Sequence, residues 1–409
     1  MEIEKVINIL SGNNYYTQND LRYNKRAGIL FTKEELLAFL EEKKKLVRDG
    51  IAPIRKLSLR TFNSEACYYS DGMFIELNKN EYITTLYDDY EQKRTLIFDR
   101  QKDSILTSRV FSEIEGTLNI ENVPTTRKRI KEVLTSNILE DKNDIIIRNM
   151  HNAIKYITIE KPEFNKNNLL KLYNILSENC LDEDNKLKSG AYYRDDYVQV
   201  GGYEGAPVDK IEECMNSLFE FANNENSKRE HGLLLPHICH YYILYVHPYF
   251  DYNGRTARMV SLWLSVLNNI FEDPIFISEA INEHKNEYYK AIINTRTSEN
   301  DLTYFLGYIL ESSIKFSLIY KNLEEINQKL AQNGEFIPPA EQIYLKKILI
   351  HNTDSYFNYK MFLVYINNNM SKVGAFKVLN HLNKLGVLEK KINSKKETIF
   401  KVNTEFLAY

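Results

Sequence analysis

The sequence predicts a mainly α protein with a small β element in its middle and a distinct C-terminal tail. Three observations carry this expectation. Apolar residues recur at three- and four-residue steps over most of the chain. A glycine-bounded stretch rich in Tyr and Val, SGAYYRDDYVQVGGYEGAPVDK (189–210), interrupts that rhythm. The texture then changes after NGEFIPPAE (333–341), the clearest linker in the chain.

The elements follow in order. TKEELLAFLEEKKKLVRDG (32–50) is helical and stops at Gly50, and a long helical pattern covers about 81–115. NDIIIRNMHNAIKYI and NKNNLLKLYNILSEN are further helices. The stretch at 189–210 reads as a short strand or hairpin, after which VDKIEECMNSLFEFANN resumes the helical pattern. HICHYYILYV and NGRTARMVSLWLSVLNNIF are two strongly apolar helices, and more helix follows to about 331. In the tail, AEQIYLKKILI, NYKMFLVYI and KVGAFKVLNHLNKLG are helices, and VLEKKI and ETIFKVN form a hairpin across NSKK. Three helices followed by a hairpin suggest a winged helix-turn-helix. No internal repeat or low-complexity tract is present.

Composition narrows the functional classes. The 409 residues allow two or three domains, and 43% hydrophobic with 27% charged content is ordinary for a globular protein. A net charge of −3 gives no global attraction to nucleic acid or membrane, so any such attraction must be local. No run approaches the roughly 18 apolar residues of a membrane span, and MEIEKVINILSGNNYYT lacks the form of a signal peptide. Cys67, Cys180, Cys214 and Cys239 form no CxxC and read as buried thiols of a reducing compartment. The expectation is a cytoplasmic protein with no membrane partner.

The chemistry concentrates in HPYFDYNGRTARM (247–259), between the two apolar helices. Pro248 disfavours helix at the residue before it, so the upstream helix ends near His247, and a new one begins around Asn253. A tight loop feeding a helix N-terminus presents unpaired N–H groups to a phosphate. Arg255 and Arg258 share one face of that helix and suit a polyphosphate. Asp251 is a hard oxygen donor for Mg²⁺, Asn253 can donate to a phosphate oxygen, and His247 can take a proton near neutrality. Together they suit phosphoryl or nucleotidyl transfer to a hydroxyl. The same residue types also suit a capped turn with a solvated arginine face.

This stretch resembles the Fic-domain signature H-x-F-x-[D/E]-G-N-G-R-x-x-R. His247, Asp251, Asn253, Gly254, Arg255 and Arg258 match it; Tyr249 replaces the Phe and Tyr252 the first Gly. The resemblance covers roughly 100–320. It implies a helical core that transfers AMP from ATP to a Ser, Thr or Tyr hydroxyl, with His247 as base and Asp251 as the Mg²⁺ ligand. Asn253 and Arg255 would hold the α- and β-phosphates, and Arg258 the γ-phosphate. Gly254 stands where kinase-like relatives carry Lys, which favours nucleotidyl transfer. GAYYRDDYVQV resembles the family's target-docking flap, which puts Tyr197, Val198, Gln199 and Val200 beside an extended target segment. EHKNEYYKAI resembles a helix near the nucleotide, where Tyr288 and Tyr289 contact adenine or pack in the core. SEIEGTLN resembles the family's inhibitory motif [S/T]-x-x-x-E-[G/N], with Glu115 and Gly116 matching and Phe111 in the Ser/Thr position. Glu115 would then pair with Arg258 and misalign ATP.

Tyr249 keeps an aromatic anchor for the loop. Tyr252 is a larger departure: a bulky residue is strained by about 1–3 kcal/mol if the position needs positive φ. If the position needs only small size, the ring must point outward. His237, His240 and His247 share a helix face, which reads as hydrogen-bonded core histidines ahead of a zinc site. In the tail, Lys372, Lys377, Lys384, Lys390, Lys391, Lys395 and Lys396 form the local basic patch, which suits DNA, protein docking or plain solvation equally.

The expected division is a helical N-terminal region (1–99), a Fic-like core including the inhibitory helix (100–332) and a winged helix (336–409). The expected function is an autoinhibited protein adenylyltransferase using MgATP, acting on a target protein or on itself, with a homodimer left open. The alternatives are a DNA-binding regulator whose loop only senses nucleotide, and the reverse reaction, AMP removal, with Glu115 positioning a water.

Overall fold

The computed structural model describes residues 18–23, 30–50, 54–64, 66–70, 102–136, 139–268, 277–352 and 355–407. The helical expectation over about 81–101 lies outside these residues. The chain divides into two compact units, 1–311 and 312–409.

The first unit is helical, as the periodicity predicts. Its helices are α1 (Gln18–Tyr23), α2 (Lys33–Arg48), α3 (Lys102–Ile120), α4 (Arg127–Thr135), α5 (Lys142–Lys155), α6 (Lys166–Ser177), α7 (Val208–Asn223), α8 (Glu225–His231), α9 (Leu235–Val246), α10 (Asn253–Leu267), α11 (Ser278–Glu283) and α12 (Lys285–Thr297). Capping sets several starts. Thr32 and Glu35 form a reciprocal capping box at α2, while Asp141 and Asn165 cap α5 and α6 through their side chains. Every residue of α9 is buried, as are most of α10, so the two form the centre around which the other helices pack. Trp263 anchors this centre. It is fully buried, meets the Phe164 ring edge-on at 5.1 Å, and donates its indole N–H to the Pro162 carbonyl at 2.8 Å.

Two small hairpins interrupt the helices. β1 (Ile54–Lys56) pairs antiparallel with β2 (Tyr68–Ser70), a pairing that three-residue strands leave no periodic trace of in the sequence. β3 (Gln199–Val200) and β4 (Tyr203–Glu204) form the expected element at 189–210. Gly201 and Gly202 make its two-residue turn, and Gly201 adopts φ +61°, which glycine tolerates without strain.

The boundary between the units falls within α13 (Thr303–Gln332). The second unit continues with α14 (Pro339–His351), β5 (Phe357–Asn358), α15 (Tyr359–Tyr365), α16 (Lys372–Lys384), β6 (Leu388–Ile392) and β7 (Thr398–Val402). The three tail helices and the hairpin stand where the sequence places them, and β5 adds a third strand in the order β5-β7-β6. The order of elements in this unit is thus helix, helix, strand, helix, helix and hairpin.

The stretch SEIEG has a packing role. The Glu113 carboxylate is buried and accepts from both the backbone N–H (2.9 Å) and the hydroxyl of Ser278, capping the first turn of α11. Burial raises this carboxyl to about 7 despite those two bonds. One turn on, a Cβ at Gly116 would lie 2.6 Å from the Ser278 carbonyl carbon, so glycine lets the two helices touch backbone to backbone. Because the obstacle is main chain, Gly116→Ala should destabilise the protein by about 1–3 kcal/mol. A fall in the denaturant midpoint at unchanged slope would report it.

Candidate active site

His247 ends α9 in the left-handed region (φ 54°, ψ 61°), and Tyr252 starts α10 there too (φ 64°, ψ 8°). Two left-handed residues turn the chain between the central helices within five positions. Asn253 closes the turn: its side-chain oxygen accepts from the Tyr249 N–H (3.0 Å) and its amide donates to the Tyr249 carbonyl (2.8 Å). The side chain expected on a phosphate thus bonds the loop at Tyr249. Tyr249 fills the anchoring role, stacked on Tyr173 with centroids 3.8 Å apart.

Tyr252 resolves the question of its missing glycine: the position does require positive φ. The ring does not point outward. It is buried, its hydroxyl meets the Cys180 thiol, and the Arg255 guanidinium lies over it at 3.5 Å from the ring centroid. Arg255 keeps Nε and Nη1 buried and without a hydrogen-bond partner among the described residues. Buried guanidinium donors are rarely left so. They lie on the first turn of α10, whose N-cap contributes no side-chain bond. Asp251 is exposed beside them, with one oxygen accepting the Tyr252 N–H at 2.6 Å. Unpaired buried donors, a free helix N-terminus and an open carboxylate fit a polyphosphate with its divalent cation.

His247 is nearly buried, and its Nδ1 also lacks a partner among the described residues. Burial first, then the Arg296 and Arg194 charges, lowers its pKa to about 4, against a backbone hydrogen bond at Leu244 that opposes the shift. The imidazole is therefore neutral near pH 7. Arg194, which the sequence reading did not single out, braces this end. Its backbone N–H donates to the Pro248 carbonyl (2.9 Å), and its guanidinium donates to the carbonyls of His247 (2.8 Å), Asp196 (2.6 Å) and Ala206. A Cβ on Gly205 would meet Arg194, Val198 and His247 at 2.9–3.1 Å, so the flap lies directly against the histidine. On the flap, Tyr197, Gln199 and Val200 are exposed and Val198 is half-buried.

Arg258 is fully buried and is held by α3 and the residue after its end. Its Nε donates to the Thr117 hydroxyl at 2.8 Å, and Nη2 bridges Glu121 at 2.5 Å. This corrects the sequence expectation, because the carboxylate on Arg258 is Glu121 and not Glu115. The signal was present, since Thr117-Leu118-Asn119-Ile120-Glu121-Asn122 matches [S/T]-x-x-x-E-[G/N] at all three fixed positions. Asn122 sits at φ +56°, a conformation that Gly and Asn accept most readily. Burial pushes the Glu121 carboxyl upward, but Arg258 and Arg255 outweigh it and hold it below its ordinary value. The carboxylate also lies against α10, since a Cβ on Gly254 would be 2.8 Å from its Oε1. Lys285 latches this segment, donating to the Asn122 side chain at 2.7 Å and the Asn119 carbonyl at 3.3 Å.

Tyr288 stands in the core, with its hydroxyl 2.9 Å from His240 Nε2, whereas Tyr289 is the partly exposed member of the pair. His237 bonds the Ser261 hydroxyl at 3.0 Å. Both histidines therefore have the hydrogen-bonded core role. Among the described residues no three His, Cys, Asp or Glu side chains gather as a metal site, and no helix is long and apolar enough to cross a membrane.

Comparison with known proteins finds similarity to one family. Residues 163–265 match the model of the Fic/DOC family. The protein adenylyltransferases Fic of Drosophila ananassae and Drosophila yakuba are each 24% identical over 217 residues, covering 51% of this chain and 41% of theirs. The chain thus matches less than half the length of these relatives. A Fic family protein from Desulfovibrio desulfuricans has a similar fold (TM-score 0.50, 15% identity), covering 79% of this chain and 95% of that one. A fragment of Fic-1 from C. elegans does too (TM-score 0.50, 17% identity), covering 61% and 73%.

The buried histidines make a pH prediction. His231, His237 and His247 are lowered to about 4 and His240 further, each chiefly by burial. The unfolded chain protonates these rings near pH 6.5 and the folded chain does not, so stability falls as pH drops from about 6.5 towards 4. Glu113, raised to about 7, works in the opposite direction but is a single group. The thermal midpoint should therefore decline across this window; a flat or rising midpoint would contradict the burial described.

Proposed function

We propose that this chain, which carries a Fic/DOC-family domain, is an autoinhibited protein adenylyltransferase. One observation carries the reading: Arg255 holds unpaired buried donors at the α10 N-terminus, within the loop that also holds His247 and Asp251. In the proposed reaction ATP lies along this helix end, with the N–H groups of α10 and Arg255 on its phosphates. Asp251 would hold Mg²⁺, which supplies charge neutralisation of the α- and β-phosphates. A Ser, Thr or Tyr hydroxyl of a target held along the flap attacks the α-phosphorus. The new O–P bond forms as the bond to pyrophosphate breaks, and neutral His247 takes the hydroxyl proton.

The Glu121 carboxylate supplies the restraint. It pairs with the guanidinium expected to hold the γ-phosphate and lies over Gly254, where a phosphate would approach the helix end. Breaking such a pair without replacement costs about 1.5–3 kcal/mol, which corresponds to roughly ten- to a hundredfold in productive binding.

Labelling with ATP radioactive at the α-phosphate tests the reading. The label should become covalent on protein, and His247→Ala should abolish it. Glu121→Gly should raise labelling by about tenfold or more, and Lys285→Ala should raise it less, because the carboxylate remains. Glu115→Gly should leave it near the starting value. Label that stays unbound to protein in the Glu121→Gly variant would overturn the proposed activity.

A further inference from the structure

We infer that the second unit binds duplex DNA through α16 and the β6–β7 hairpin, independently of the reaction proposed for the first. Charge is the first ground. The chain as a whole carries −3, yet residues 339–409 hold eleven lysines against five acidic residues. From Ser355 to Leu388 there is no Asp or Glu at all. That interval contains the whole helix-turn-helix pair, α15 and α16.

Placement is the second ground. α16 buries Ala375, Val378, Leu379 and Leu382 against its own unit. The opposite face, Val373, Lys377, Asn380 and Lys384, follows steps of four, three and four, and every member is exposed. Lys372 is exposed at the first turn, and Val373 is 80% exposed beside it. In a winged helix-turn-helix this second helix enters the major groove with its N-terminal residues on base edges. An exposed valine among lysines there suits a thymine methyl flanked by phosphates.

The hairpin continues the surface. Lys390 donates to Asn380 at 2.8 Å, which ties β6 to the exposed face of α16. Lys391, Lys395 and Lys396 are exposed along the strand and at the tip. Of the hairpin's two acids, Glu389 accepts from the Tyr356 hydroxyl and Glu397 lies at the tip beside Asn393. The excess of cations over carboxylates on this one face is the footprint of a polyanion. The lysines lie exposed along the second helix of the helix-turn-helix pair and on the hairpin, with no acid from Ser355 to Leu388, which favours duplex DNA over an acidic protein.

The test uses the full chain and a fluorescent duplex of roughly 30 base pairs, about three helical turns. The affinity should fall steeply with salt, with a log–log slope of about −0.9 per phosphate neutralised. Lys377→Glu with Lys384→Glu should weaken binding about tenfold or more, and Lys395→Ala with Lys396→Ala should flatten the slope by about 2. Lys128→Glu, an exposed change in the first unit, should alter neither. Unchanged thermal midpoints would show that the variants remain folded. Absence of duplex binding at low salt, or binding indifferent to the α16 substitutions, would overturn the inference and leave this face to a protein partner.

Discussion

The site depends on the fate of one buried charge, the guanidinium of Arg258. It is 1% exposed, and an ion removed from water to that extent must find an anion or destabilise the fold. In this chain Glu121 provides the anion and Thr117 a further acceptor, both one helical turn apart on the same segment. The contact proposed as inhibitory is therefore also a structural one. A nucleotide phosphate would replace Glu121 as the counter-ion, exchanging one buried pair for another. The position of Glu121 rests in turn on α3, whose path is set by Gly116 and Glu113 against the start of α11 and by Lys285 at its end. Small backbone contacts about two turns away thus fix which anion the arginine meets.

Tyr252 illustrates a similar coupling. Holding a tyrosine in the left-handed region costs about 1–2 kcal/mol relative to glycine. The Arg255 stack on its ring contributes about 0.5–2 kcal/mol in return. The two terms are of the same size, so the stack offsets the backbone cost. It also has a geometric effect: the ring holds the Arg255 guanidinium at one place beside the start of α10. Tyr252 therefore helps to position Arg255.

The helices and the loop were legible because their signals are local. Amphipathic spacing marks α9 and α10, and the residues at 247–258 declare their chemistry in one short stretch. The carboxylate partner of Arg258 was misplaced because two glutamates precede a Gly or Asn, Glu115 before Gly116 and Glu121 before Asn122. Six residues of helix rotate a side chain by about 240°, so only one of the two can face Arg258, and the phase depends on how α3 packs. The upstream Thr117 would have chosen between them. Tyr288 and Tyr289 pose the same problem, since adjacent helical positions face different surroundings. Arg194 left no trace, because its partners are main-chain carbonyls that any residue supplies. β1, β2 and β5 were too short to show a period of two.

The low basicity of His247 has a consequence for how a hydroxyl would be activated. Its pKa is depressed by burial and by two cations, Arg296 and Arg194, and both cations are also committed to holding the backbone around it. The depression is therefore built into the loop. A triphosphate, however, brings several negative charges close to the same imidazole, and these oppose the arginine field. In the proposed reaction the ring would be least basic before nucleotide binds and more basic once it has bound. Such a histidine stays neutral and ready over a wide pH range, yet gains affinity for a proton only when the electrophile is in place. The attacking oxygen would then have to be forming its bond to phosphorus, and so becoming acidic, before the proton moved. In that proposed reaction, the cations that keep His247 neutral would tie proton transfer to the presence of the substrate.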